Sequence, residues 1–129
     1  MPIDQSIEVD RELTPDEVIL VMWLLEHGEP RAADVVSQLR GARVVSRCGC
    51  GCASIDFSVD GIRPSALAGM DVVSDYWWRT AQGNLCGAFV FLRNGVLAGL
   101  DLWSIDGAET PSVLPRPEDL RPQSQFHDD

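Results

Sequence analysis

The dipeptide Asn94-Gly95 constrains this chain more than any other feature, because it sits between two apolar stretches, Cys86 to Arg93 and Val96 to Trp103. A two-residue type I′ turn needs positive φ at both central positions, and Asn followed by Gly supplies it at the least steric cost. The two stretches are therefore expected to pair as an antiparallel hairpin. Upstream, Asp71 to Arg79 carries Val72, Val73, Tyr76, Trp77 and Trp78, residues that favour extended backbone, and the turn residues Gln82, Gly83 and Asn84 separate it from the hairpin. Earlier still, Val44 and Val45 precede a cluster of cysteines. After the cluster, Ile55, Phe57 and Val59 alternate with Ser54, Asp56 and Ser58, the period-two pattern of a hairpin with one buried face.

The N-terminal part has helical punctuation instead. Thr14, Pro15 and Glu17 read as an N-cap hydroxyl, a proline at the first helical position and the reciprocal Glu of a capping box. The run from Val18 to Leu25 is apolar on every face, so the helix must be covered on most sides, and Gly28 supplies a stop. His27 falls in its last turn, where a cationic imidazole suits the helix dipole. A second helix is expected from Pro30 to Arg40, with Ala33, Val36 and Leu39 recurring and Gly41 ending it. The expected fold is α+β, with two N-terminal helices packed on one face of an antiparallel meander of about five strands. The expected organisation is an acidic N-terminal segment over 1–13, a single α+β domain over 14–106, and a Pro-rich, acidic, partly disordered tail over 107–129. At 129 residues one core can be covered without a disulfide or a metal.

Charge narrows the partners. Twenty acids stand against ten basic residues, all Arg, for a formal charge of -10, which argues against a binder of nucleic-acid phosphates. Residues 1–17 hold six acids and one Arg, and residues 101–129 hold seven acids and two Arg, whereas seven of each sign balance between them. The acidity thus belongs to the two ends, as a solubilising feature or as a face for a basic partner. No apolar run is long enough to cross a bilayer, and the acidic start does not resemble a secretion signal. The expectation is a cytoplasmic protein with no membrane partner.

The unusual chemistry is Arg47-Cys48-Gly49-Cys50-Gly51-Cys52, three of the four cysteines within five residues. Glycine permits tight and left-handed bends, so Gly49 and Gly51 can bring the sulfurs together. If Gly49-Cys50-Gly51 forms the hairpin loop, Cys48 and Cys52 oppose one another with Cβ atoms about 4.5 to 5.5 Å apart, slightly beyond the roughly 3.5 to 4.5 Å of a disulfide. Cys86, on a separate strand, can complete a four-thiolate site with Cys48, Cys50 and Cys52, for which zinc is the candidate ion. The C-x-C-x-C spacing departs from the usual pair of C-x2-C knuckles. A redox-active thiol pair, with Arg47 lowering a thiol pKa, and plain packing of cysteine as a small hydrophobe are the other readings.

The run from Arg47 to Asp56, the hairpin around Asn94-Gly95 and the stretch Leu100-Asp101-Leu102-Trp103-Ser104-Ile105-Asp106 together resemble small uncharacterised bacterial proteins with an R-C-G-C-G-C core. The resemblance covers the last two thirds of the chain. It implies an independent domain and carries over no catalytic residue.

Other chemistries are poorly supplied. A nucleophilic triad wants a histidine base, and only His27 and His127 exist. With no Lys and no Gly-rich phosphate motif, P-loop and Schiff-base chemistry fall away. Asp56, Asp71, Asp75, Asp101 and Asp106 can meet across a sheet, but no spacing selects a pair for acid-base work. Trp77 and Trp78 are adjacent and must point to opposite faces of a strand, so one is expected outside. Trp103, with Phe91 as its hairpin partner, can share that outer face. Trp77, Trp78, Trp103 and Phe91 are accordingly the candidate partner-binding residues of a non-enzymatic, acidic interaction module, binding another protein or itself. Immunity proteins and small regulators have this build by fold-level analogy. The alternative function is a metal or redox-sensing thiol site at the C-G-C-G-C loop.

Overall fold

A computed structural model describes residues 6–126; His127, on which part of the triad argument rests, lies outside the described residues. The elements are β1 (Ser6–Glu12), α1 (Pro15–Glu26), α2 (Pro30–Ala33), β2 (Ala42–Cys48), β3 (Ile55–Val59), β4 (Asp71–Arg79), β5 (Leu85–Arg93) and β6 (Val96–Ser104). They form a mixed α+β fold around one antiparallel six-stranded sheet in the order β1-β2-β3-β6-β5-β4. The expected meander holds for β4-β5-β6 and for the β2-β3 hairpin separately. It fails between them, because the Asp60 to Met70 connection carries the chain to the far edge, and β6 returns to close against β3 through Ile55↔Leu100 and Asp56↔Gly99.

The sixth strand comes from the segment expected to lie outside the domain. Ser6–Glu12 pairs with β2 and forms one edge of the sheet. Its polar sequence hid it: an edge strand buries little, and only Val9 and Arg11 within it are not fully exposed. The tail also departs from a free extension. Leu120 is buried in the core, Ala53 N–H donates to the Pro111 carbonyl, and Trp77 and Arg121 exchange two backbone hydrogen bonds along the β4 edge.

The first helix forms as its cap dictates. Thr14 Oγ1 accepts from Glu17 N–H at 3.2 Å, and Glu17 Oε1 accepts from Thr14 N–H at 2.8 Å. Arg11 grips both oxygens of Glu17 at 2.9 Å. That pairing and the Thr14 amide outweigh burial and hold the Glu17 carboxyl below its ordinary range. Leu20, Val21, Leu24 and Leu25 enter the core, while Ile19 stays 54% exposed, so the helix is covered on fewer sides than its composition implies. The second helix is shorter than expected: α2 ends at Ala33 and a 3₁₀ segment follows over Val36–Gly41. Ala33, Val36 and Leu39 repeat every three residues, which is the 3₁₀ period, where positions i and i+3 stack.

Both helices pack on one sheet face. That face contributes Val44, Ile55, Phe57, Trp78, Cys86, Ala88, Val90, Leu100 and Leu102 to the core. Among the described residues no helix is long and apolar enough to cross a membrane.

Candidate functional site

Two places concentrate chemistry: the loop joining β2 to β3, and the sheet face turned away from the helices. The loop holds the thiols. Cys48 N–H donates to the Ser54 carbonyl at 3.2 Å, so Cys48 faces Ser54 and not Cys52, and the connection is longer than the three-residue turn expected. Gly51 has φ +99°, a conformation that disfavours any residue with a Cβ, and it folds the chain back over the strand ends. The Sγ atoms of Cys48, Cys50 and Cys52 all lie within 4.8 Å of one another.

Each sulfur has a hydrogen-bonding neighbour. Cys50 N–H donates to Cys48 Sγ at 3.3 Å and Cys52 N–H to Cys50 Sγ at 3.4 Å, while Cys52 Sγ lies 3.3 Å from Ser54 Oγ. Cys48 and Cys50 are joined as a disulfide with Cα atoms 5.4 Å apart, and Cys52 is a free thiol. A bond enclosing so short a loop removes little chain entropy, about 1.6 kcal/mol against about 3 for a fifteen-residue loop, so it contributes little as a staple. Ser54 anchors the loop, accepting from Leu102 N–H at 2.8 Å and donating to Leu102 O at 3.2 Å.

Cys86 is not part of this group. It is fully buried on β5, in register with Trp78 and Ser104, and burial raises its thiol pKa, with Glu109 and Asp106 adding to the effect. The expected four-thiolate set is thus brought together as three.

The second place is the open sheet face. Strand parity puts Trp77, Gly87 and Trp103 in one cross-strand row and Asp75, Phe89 and Asp101 in the next. Gly87 makes room for the indoles: a Cβ there would stand 2.7 Å from Trp103 Nε1 and 3.1 Å from Trp77 Cδ1. Trp103 is 41% exposed. Burial pushes the Asp75 carboxyl up. It does the same to Asp101, with a further push from the Asp56 charge that the Ser54 hydroxyl partly opposes. Neither acid has an ion pair among the described residues, and Asp75 Oδ1 and Trp77 Nε1 are buried there without a hydrogen-bond partner.

Two of the four expected aromatic contacts are not surface residues. Trp78 is 4% exposed and points into the core beside Cys86. Phe91 is on the open face but 3% exposed. It pairs with Gly99, whereas Trp103 pairs with Gly87, because the turn at Asn94-Gly95 sets Arg93 opposite Val96 and the bulge between Phe91 and Leu92 moves that register by one residue only, too little to bring Trp103 opposite Phe91. Arg93 lies over the Phe91 ring at 5.4 Å and donates to the Ala66 and Ala68 carbonyls, so the Gly61 to Gly69 loop roofs this end of the face. Phe89, Asp75 and Asp101 are the residues that stand next to the Trp77 and Trp103 row on this face. The isolated strand glycines Gly87 and Gly99 were the available signal, since glycine inside a strand marks close approach of another group.

The remaining expected residues have structural employment. Asp71 pairs with Arg31 at 2.6 Å. Asp106 accepts from Leu85 and Ala108 amides, which hold its pKa down. His27 caps α1, with Nδ1 donating to the Trp23 carbonyl at 2.8 Å and its ring stacked on Trp23. No family model, curated protein or solved structure matches this chain.

Proposed function

We propose that this protein is a non-enzymatic interaction module that docks a basic segment of a partner protein on the open face of its sheet. The observation that carries the reading is the juxtaposition of exposed Trp103 and half-buried Trp77 with Asp75 and Asp101, two partly desolvated carboxylates with no ion pair among the described residues. A guanidinium or ammonium group laid on an indole gains about 0.5 to 1 kcal/mol at an exposed site and more where water is excluded. The same cation can neutralise a carboxylate that burial has left under-solvated. Self-association is the weaker fit, because two copies each carrying -10 repel.

The test is titration of the full chain with an unstructured peptide carrying several arginines, followed by tryptophan emission and by calorimetry, beside a peptide in which every arginine is citrulline. The arginine peptide should bind and the citrulline peptide should not. Trp103→Ala and Asp101→Asn should each weaken binding by about five- to thirtyfold, the range of about 1 to 2 kcal/mol for a desolvated contact. Glu118→Gln, a surface acid remote from the face, should leave it unchanged. Equal binding by wild type and Trp103→Ala refutes the proposal.

A further inference from the structure

We propose that Cys48, Cys50 and Cys52 form a three-thiolate site for one thiophilic d10 metal ion, and that the Cys48–Cys50 disulfide is the oxidised, metal-free form of the same loop. Sulfurs bound about 2.3 Å from a common ion stand about 3.8 Å apart in tetrahedral geometry and about 4 Å apart in a trigonal plane. Three Sγ atoms already within 4.8 Å of one another need only side-chain rotation to reach either arrangement once the disulfide is reduced.

The loop also presents its own amides to the sulfurs. The amides of Cys50 and Cys52 each donate to the sulfur two residues before them. Such bonds are the outer-shell contacts that orient metal ligands. Gly51 stands at φ +99° between those two amides, and the exposure of Cys50 leaves the ion a path from solvent. Ser54 fixes the far side by its two bonds to Leu102, so the third sulfur is tethered to the sheet.

The ligand count narrows the ion. Among the described residues the group contains no fourth Cys, His, Asp or Glu, and Cys86 is buried elsewhere. Three soft donors suit trigonal Cu(I) directly, whereas Zn(II) would complete its shell with water. Loading follows reduction. A dithiol of the thioredoxin class gives two electrons and two protons to the Cys48–Cys50 bond and becomes a disulfide; the three thiols then release three protons as they bind the ion. In the reverse direction, a low-molecular-weight disulfide of the glutathione class takes two electrons from the bound thiolates. It leaves as two thiolates, the Cys48–Cys50 bond re-forms, Cys52 stays free and the ion departs. The loop is thereby a redox-gated metal site whether or not the open face docks a partner.

The experiment uses the reduced full chain under anaerobic conditions. Zn(II) is titrated against a chromophoric chelator, and Cu(I) against bathocuproine disulfonate, with thiolate-to-metal charge-transfer absorption recorded for Cu(I). About one equivalent of at least one ion should bind, and which arm saturates identifies the ion. Cys48→Ser, Cys50→Ser and Cys52→Ser should each weaken binding by at least about tenfold, with far-UV circular dichroism unchanged because the loop is outside the core. Cys86→Ala should bind as wild type does. Glutathione disulfide should release the ion and leave a disulfide that peptide mapping assigns to Cys48 and Cys50. Less than a tenth of an equivalent in both arms, or binding that survives Cys52→Ser, overturns the site. Retention of the ion after oxidation overturns the gating.

Discussion

Alanine replacements at two glycines of the open face should differ in cost for a reason visible in their neighbours. A Cβ on Gly99 would lie 2.7 and 2.8 Å from Phe91 Cζ and Cε1 and 2.9 Å from the Ile55 carbonyl oxygen. The Phe91 ring cannot step aside: it is buried under the Gly61 to Gly69 loop and held beneath Arg93. The carbonyl belongs to β3, whose register with β6 would have to shift. Overpacking of this kind costs about 1 to 3 kcal/mol, and the upper end applies because neither neighbour yields. The lower unfolded-state entropy of alanine returns about 0.4 to 1 kcal/mol, leaving a net loss of about 2 kcal/mol. For a domain of this size that is roughly 8 °C in Tm.

Gly87→Ala meets its shortest contact at Trp103 Nε1, 2.7 Å away, but this indole is partly in solvent and can swing outward. Its net cost should stay within about 0.5 kcal/mol, while tryptophan emission shifts to the red. Urea unfolding followed by far-UV circular dichroism separates the two, with an unchanged denaturant slope showing that the unfolded state is not the cause. Equal losses for the two variants, or a larger loss for Gly87→Ala, would refute the assignment of a rigid, roofed Gly99 end and a yielding Trp103 end to the same face.

Arg11→Gln should cost about 1 kcal/mol near neutral pH, discounted for the solvent around Arg11. Because the folded state holds the Glu17 pKa down, this stability is present above the ordinary Glu range and is lost as pH falls through the depressed value, so melting curves of wild type and variant should converge in acid. Asp75 has the opposite sign. Its carboxyl is raised by burial, so the folded state favours the protonated form and loses stability as pH rises through that value; Asp75→Asn should melt higher than wild type at neutral pH and alike in acid. Leu120→Ala should lose about 2 to 4 kcal/mol and expose the tail to protease in native conditions, since Leu120 is a core residue and not a linker.

The proposed docking face and the proposed metal loop share one end of the sheet. Ser54 touches Cys52 and the Leu102 backbone, and Trp103 follows Leu102 on β6. A change at the thiols therefore has a path of direct contacts to the residue before the exposed indole.

How much could be read without coordinates follows from the range of each interaction. Thr14, Pro15 and Glu17 announced α1, and Asn94-Gly95 announced the β5-β6 turn, because capping boxes and type I′ turns are closed within four residues. The gathering of Cys48, Cys50 and Cys52 was legible for the same local reason, through Gly51. Long-range choices were not. Whether β6 closes on β3, whether Ser6–Glu12 adds an edge strand, and whether Cys86 reaches the loop depend on pairing free energies summed over distant segments, which leave no mark in any short window. Burial of Phe91 and exposure of Trp103, at opposite ends of one face, were settled by cross-strand position and one covering loop. A one-residue shift in register or a few ångströms of roof redistributes solvent among side chains that alternation alone treats as equivalent.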